Sequence, residues 1–146
     1  MKISSKADLI NFASNKGYRP EILEKVCLLL DFAEQIKSSK IIRETLVLKG
    51  GTAINLFVHD MPRLSVDIDL TYLPVENRDV FLPNIETELL KMKQLIEDLG
   101  LTVKTVFMKN GVISKLQVYT NHAMIKIEPN FVLRGSVFPC EEKELC

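Results

Sequence analysis

Cysteine, histidine and long apolar stretches are scarce in this chain of 146 residues. Its three cysteines include no CxxC pair, and no histidine stands at metal-ligand spacing, which argues against a disulfide framework and a zinc site. No apolar run approaches the roughly eighteen residues needed to span a bilayer, and the N-terminus is polar. We therefore expect a cytoplasmic protein without a membrane segment.

Net charge is also absent, because 19 Lys and Arg balance 19 Asp and Glu. No overall field draws the chain toward nucleic acid or anionic lipid, so any bound polyanion must be held locally. The composition, 47% hydrophobic and 26% charged, is that of a globular domain and excludes disordered, collagen-like and coiled-coil chains. Since no repeat or linker-like segment interrupts the chain, we predict one domain over residues 1–146.

The hydrophobic pattern predicts two long amphipathic helices. Apolar residues at three- and four-residue steps indicate a helix from Pro20, in its first turn, to about Ser38. A second helix is predicted from an N-cap at Asp79 to Gly100, with Pro83 in its first turn. Its apolar face consists of Phe81, Ile85, Leu89, Met92, Ile96 and Leu99.

Several short segments have the pattern of strands. Residues 66–73 alternate, with Val66, Ile68 and Leu70 on one side and Asp67, Asp69 and Thr71 on the other. Asn110-Gly111 between apolar runs predicts a hairpin of strands 101–108 and 112–119, and a turn at 120–122 leads into a strand over 123–128. In this last strand Ile125 and Ile127 share one face, and Lys126 and Glu128 share the other.

A further apolar stretch, residues 45–48, is either a buried strand or a helix end, and it runs into Gly50-Gly51 and a short helix over 53–58. Together these elements predict a mixed α/β or α+β domain. Its helical N-terminal layer would cover residues 1–44 and its core residues 45–135.

Asp67 and Asp69 are the most informative pair in the sequence. Strand alternation places both carboxylates on one face, about 6–7 Å apart along the backbone, where their oxygens can share a divalent cation. Without Mg²⁺ or Mn²⁺, such proximity raises at least one pKa. The glycine pair lets the backbone approach a phosphate, and the helix that follows offers free N–H donors. Taken singly, the aspartate pair is explained by a solvated strand face and the glycine pair by a plain turn. Taken together, the two motifs indicate phosphoryl or nucleotidyl transfer.

The combined motif resembles a known family. Leu48-Lys49-Gly50-Gly51-Thr52-Ala53-Ile54, followed by Arg63-Leu64-Ser65-Val66-Asp67-Ile68-Asp69-Leu70, is similar to the LKGGTAL and R-x-S-x-DID signature of AbiEii/AbiGii-type toxin nucleotidyltransferases. The resemblance implies a polymerase-β-like core, in which a mixed sheet with antiparallel hairpins packs against helices. It also implies a metal-dependent enzyme, using Mg²⁺ or Mn²⁺, that moves an NMP from an NTP to a hydroxyl of RNA, such as tRNA, or of protein. Such toxins act in toxin–antitoxin or abortive phage infection systems, so a cognate antitoxin is an expected partner.

The resemblance also assigns roles to single residues. Asp67 and Asp69 would be the catalytic metal-binding pair, and Glu128 is the candidate third carboxylate; an ion pair between Glu128 and Lys126 is the alternative. The expected nucleotide-binding residues are Lys49, Gly50, Gly51, Thr52, Arg63 and Ser65. Lys49 is equally explained as a solvated lysine beside a turn, and Arg63 as a surface residue that caps the helix.

One part of the family pattern is missing. The helical C-terminal domain, with its lysine and its Arg-Asp-x-x-Asp-like motif, has no counterpart after Glu128. A truncated, inactive remnant of the nucleotidyltransferase fold, or an interaction module, is therefore the alternative to an active enzyme. Apolar surface left uncovered would be buried by a second copy in a homo-oligomer. Neutral net charge argues against an extensive autonomous RNA-binding surface.

Overall fold

The computed structural model describes residues 10–11, 14–15, 17, 19–39, 44–51, 53, 67–120 and 123–141. Two long helices, α1 (Pro20–Ser38) and α2 (Arg78–Asp98), accompany five strands. The strands are β1 (Leu46–Lys49), β2 (Ile68–Tyr72), β3 (Thr102–Phe107), β4 (Ile113–Tyr119) and β5 (Met124–Arg134). The predicted α/β class is confirmed, and residues 46–49 form a strand rather than a helix end.

The strands form one mixed sheet in the order β1-β2-β5-β4-β3. Only the β2–β5 pair is parallel among these neighbours; β1–β2, β5–β4 and β4–β3 are antiparallel. After β2 the chain forms α2 and the β3–β4 hairpin and then returns as β5, between β4 and β2. Residues that are distant in the sequence, such as Asp69 and Glu128, therefore become neighbours.

The core lies between one face of the sheet and the two helices. Ile68 and Leu70 on β2 are each 2% exposed, and Ile125 and Ile127 on β5 are each 1% exposed, so the predicted alternation is confirmed for these residues. Val66 lies outside the described residues. The helices contribute Leu29, Phe32, Phe81, Ile85, Leu89, Met92 and Ile96 to the same cluster. The polar side chains of the sheet occupy the opposite face, which α1 and α2 leave uncovered. Neither helix combines the length and apolar character needed to cross a membrane, and the same is true of all helical residues that the structure describes.

The start of α2 differs from the prediction. The N-cap is Asn77 rather than Asp79, because the carbonyl of Asn77 accepts bonds from the N–H groups of Val80 (3.0 Å) and Phe81 (2.9 Å). Asp79 lies in the first turn, where its negative charge faces the positive end of the helix dipole. Pro83 consequently lies two residues further into the helix than predicted, in the second turn.

At the end of α2, the predicted role of Gly100 is confirmed, whereas the predicted burial of Leu99 is wrong. Gly100 has a φ of +82°, and its N–H bonds to the carbonyl of Glu97 at 2.9 Å. The N–H of Leu101 bonds to the carbonyl of Ile96 at 3.4 Å, which completes a Schellman motif. Leu99 is the C-cap residue and is 44% exposed, so it does not belong to the buried face.

The predicted hairpins form, but β5 is longer than expected. At the β3–β4 turn, the N–H of Met108 donates to the carbonyl of Val112 at 2.7 Å. β5 continues past Pro129 because its pairing with β4 has ended at Ile127, so the missing proline N–H interrupts no bond to β4. Opposite Leu70 and Tyr72, β5 then bulges, since Pro129 and Arg134 are their partners.

Candidate functional site

Asp69 lies in the middle of a row of charged side chains on the polar face of the sheet. Its register partners are Lys49 on β1 and Glu128 on β5. Beyond Glu128 the row continues onto β4, where Lys115 Nζ lies 2.8 Å from Glu128 Oε1. Two carboxylates on adjacent strands are thus flanked by one lysine on either side.

Gly50 brings the backbone directly against the Asp69 carboxylate. A Cβ at position 50 would lie 2.7 Å from Asp69 Oδ2, and the backbone φ of Gly50 is +74°. Both features disfavour any residue with a side chain. Gly50, Gly51 and Ala53 are already helical, so the chain turns from β1 into helical backbone beside Asp69.

Burial raises the pKa of the Asp69 carboxyl above its ordinary value. The positive charge of Lys49 opposes this shift, whereas the negative charges of Glu128 and Asp67 add to it. Glu128 and Asp67 thus repel the ionised form of Asp69, while Lys49 attracts it. A bound cation would relieve this repulsion.

The donor set agrees with Mg²⁺ or Mn²⁺ in its chemistry. Asp67, Asp69 and Glu128 supply only carboxylate oxygens, the hard ligands that these ions prefer. Within the residues described, no three Asp, Glu, His or Cys side chains stand in a ready-made metal cluster. One oxygen of Glu128, Oε1, is paired with Lys115 instead.

The predicted site residues that the structure describes gather at one place, the ends of β1 and β2 and the middle of β5. They are Lys49, Gly50, Gly51, Asp67, Asp69 and Glu128. Thr52, Arg63 and Ser65 lie outside the described residues.

The alternative reading of Glu128 named the wrong partner, because the ion pair is with Lys115 and not with Lys126. Local sequence favours Lys126 because it stands two residues away on the same strand face. Counting back along both strands from the turn at 120–122 places Lys115 directly across from Glu128, and this signal could have identified it.

Comparison with protein families gives one match. A model described as nucleotidyl transferase AbiEii toxin, type IV toxin–antitoxin system, matches residues 37–146. The chain belongs to the AbiEii family. The matched region includes all five strands and α2, so the AbiEii resemblance predicted from the glycine and aspartate motifs is confirmed. Searches of curated proteins and of solved structures find no match.

Membership of the AbiEii family connects the observed geometry with a class of chemistry. The family is one of nucleotidyl transferases in a toxin–antitoxin system, so an antitoxin is the expected partner. The AbiEii match also contains Asp67, Asp69, Glu128 and the Gly50-Gly51 turn, which lie together in the structure.

Proposed function

We propose that this AbiEii-family protein is a Mg²⁺- or Mn²⁺-dependent toxin that transfers an NMP from an NTP to a hydroxyl of RNA or protein. The main support is the surroundings of Asp69. Its carboxylate touches the Gly50 turn, lies between Lys49 and Glu128, and follows Asp67 on the same strand segment. The proposed cation site and the proposed phosphate-binding turn thus lie next to each other.

Asp67, Asp69 and Glu128 would hold the cation, which supplies charge stabilisation at the reacting phosphate when bound. The backbone N–H groups after Gly50-Gly51 would bind the β- and γ-phosphates, together with Thr52. Lys49 would offset phosphate charge, and Arg63 and Ser65 would steady the phosphates or their loop. The acceptor hydroxyl attacks the α-phosphate and pyrophosphate leaves, so no protein nucleophile is needed.

A second candidate is an inactive nucleotidyltransferase fold that serves as an interaction module. It is favoured by one observation, the Lys115–Glu128 ion pair, which engages the third carboxylate with a protein cation. In the first candidate Asp67 and Asp69 support nucleotidyl transfer, whereas in the second they support nucleotide binding at most.

A label-transfer assay distinguishes the two candidate functions. The purified protein is incubated with Mg²⁺, each α-labelled NTP and either total tRNA or total protein. We expect transfer by the wild type, its loss in Asp67→Ala and in Asp69→Ala, and its retention in the control Asp98→Ala, which removes an exposed carboxylate from the last residue of α2. No transfer by the wild type, or undiminished transfer by both site variants, contradicts the proposal.

Nucleotide binding is measured independently by thermal unfolding. A ligand at one hundred times its Kd stabilises the folded state by about 2.7 kcal/mol. This corresponds to roughly 5–10 °C in Tm for a domain of this size. We expect Mg²⁺·NTP to produce such a shift in the wild type but not in Asp69→Ala. A shift without label transfer would favour the inactive candidate.

A further inference from the structure

A separate group of polar side chains lies where the end of β2 meets the first half of α2, on the helix-covered side of the sheet. Glu76 Oε2 accepts hydrogen bonds from the Tyr72 hydroxyl at 3.2 Å and from Asn84 Nδ2 at 3.0 Å. Glu88 follows Asn84 by four residues, so the two side chains leave α2 on the same face, about one turn apart. We call Tyr72, Glu76, Asn84 and Glu88 the Tyr72 cluster.

Glu88 is a buried carboxylate with one oxygen that the chain does not satisfy. Its side chain is 8% exposed, and Lys91 Nζ lies 2.7 Å from Oε1. The other oxygen, Oε2, has no hydrogen-bond partner among the described residues. A buried ionised carboxylate is costly unless both of its oxygens are bound. The unpartnered oxygen therefore points to a ligand that is supplied from outside the chain.

The surroundings of the Tyr72 hydroxyl are negatively charged. Burial raises the pKa of this hydroxyl, and the charges of Glu76 and Glu88 raise it further, so both carboxylates act on the same point. The hydrogen-bond donors of Tyr72 and Asn84 are already used on Glu76. Lys91 brings one positive charge against the two carboxylates. The Tyr72 cluster therefore lacks a second cation that carries hydrogen-bond donors.

A guanidinium group suits the Tyr72 cluster better than an ammonium group or a metal ion. Its planar fork of N–H donors can bind two acceptors at once, and its weaker hydration makes entry into a buried site less costly. The neighbouring rings suit it as well, because Tyr72 and Phe81 are 5.4 Å apart and the Arg134 guanidinium lies 4.6 Å from the centre of Phe81. No salt bridge joins Arg134 to Glu76 or Glu88. In the described part of the chain, no three acidic, His or Cys side chains are grouped to hold a metal ion.

We propose that the Tyr72 cluster binds an alkylguanidinium group, which bridges Glu88 Oε2 and the Glu76 carboxylate. The group belongs either to a free small cation or to an arginine side chain of another protein. The Lys91 side chain is 41% exposed, so it can move into solvent and admit the ligand to Glu88. Tyr72 is part of the buried core, on the opposite side of the sheet from Asp69. Binding at the Tyr72 cluster is therefore independent of the proposed nucleotidyl transfer.

The test measures binding of butylguanidinium chloride to the full chain by isothermal titration calorimetry, at concentrations far below those that denature proteins. Tetramethylammonium chloride, a cation without N–H donors, should not bind. Glu88→Gln should weaken butylguanidinium binding by about tenfold or more, the loss expected when a hydrogen bond to a charged group is removed. The matched control is Glu97→Gln. Glu97 is also paired with one lysine of α2, Lys93, but its side chain is 34% exposed, so its loss should leave binding unchanged.

Lys91→Met provides a second variant at an exposed position. It should strengthen butylguanidinium binding, because it opens the path to Glu88 and leaves both carboxylate oxygens to the ligand. A capped Ala-Arg-Ala peptide identifies the source of the group. Binding of the peptide at least as tight as that of butylguanidinium indicates an arginine of another protein, and weaker binding indicates a free small cation; either result supports the proposal.

Three results would overturn the proposed guanidinium site. The first is absence of butylguanidinium binding by the wild type. The second is equal affinity of Glu88→Gln and Glu97→Gln for butylguanidinium. The third is unchanged or weaker binding by Lys91→Met, which remains informative if Glu88→Gln does not fold.

Discussion

Replacing Gly50 by alanine perturbs the closest contact in the candidate site. A residue with a Cβ pays about 1–2 kcal/mol for the left-handed backbone that Gly50 adopts at φ +74°. The new Cβ would lie 2.7 Å from Asp69 Oδ2, so the carboxylate must leave its position. Moving a side chain off its preferred rotamer costs about 0.5–1.5 kcal/mol. We expect a total loss of about 1.5–3.5 kcal/mol in the free energy of unfolding.

Urea unfolding measures this loss, and Gly111→Ala is the matched control. Gly111 has a φ of +82° and no atom within 4 Å of its ideal Cβ, so alanine there meets only the backbone cost. The excess of Gly50→Ala over Gly111→Ala is therefore the cost of the Asp69 contact, about 0.5–1.5 kcal/mol.

A double-mutant cycle assigns that excess to Asp69. In Asp69→Ala the carboxylate is gone, so adding Gly50→Ala should cost about 0.5–1.5 kcal/mol less than it does in the wild type. The reasoning is refuted if Gly50→Ala is no worse than Gly111→Ala, or if the effects of Gly50→Ala and Asp69→Ala are additive.

Three further substitutions test the electrostatics. Asp69→Asn should raise the Tm of the metal-free protein at pH 7, because the raised pKa of Asp69 means that its ionised form destabilises the fold. Calorimetry should show this gain vanishing as the pH falls below the ordinary carboxyl range, and no gain at pH 7 would contradict it. Lys115→Met should strengthen Mn²⁺ binding, measured by electron paramagnetic resonance, because it frees Glu128 and removes a positive charge. Its stability should change by less than about 1 kcal/mol, since both partners are partly exposed; weaker Mn²⁺ binding would count against the site. Glu88→Met should leave stability equal or raise it by about 1–2 kcal/mol, because Glu88 Oε2 is buried without a hydrogen-bond partner among the described residues and Lys91 contacts only Oε1. A clear loss in urea unfolding would contradict that reasoning.

Local sequence correctly predicted the features that depend only on strand alternation or on the backbone φ of a single residue. The period of two around Asp67 and Asp69 predicted which residues of β2 are buried, because alternation follows directly from strand geometry. Asn110-Gly111 predicted the β3–β4 turn, and Gly100 predicted the end of α2, because both positions require a positive φ.

The remaining features depend on neighbours that local sequence does not show. Pro129 normally argues against a strand, and it is tolerated here only because β4 has already separated from β5. Asn77 and Asp79 are both of residue types that favour an N-cap, so local sequence did not decide between them, and the structure begins α2 at Asn77 without a side-chain cap bond. The register that joins Lys115 to Glu128, and Glu128 to Asp69, is set by the order of five strands in the sheet.

The grouping of the candidate site residues in space was predicted in part. The glycine turn and the aspartates could be paired from sequence because they form one motif, but the contact between Gly50 and Asp69 requires the antiparallel β1–β2 register.

Nucleotidyl transfer at Asp69 is tested most directly by comparing two labels in one assay. The protein is incubated with Mg²⁺ and acceptor RNA, with an NTP labelled either at the α-phosphate or at the γ-phosphate. We predict that the α-label enters the acceptor, that the γ-label is released as pyrophosphate, and that Asp69→Asn abolishes both events. Entry of the γ-label into the acceptor, or α-label transfer by Asp69→Asn at the wild-type rate, would contradict nucleotidyl transfer at this site.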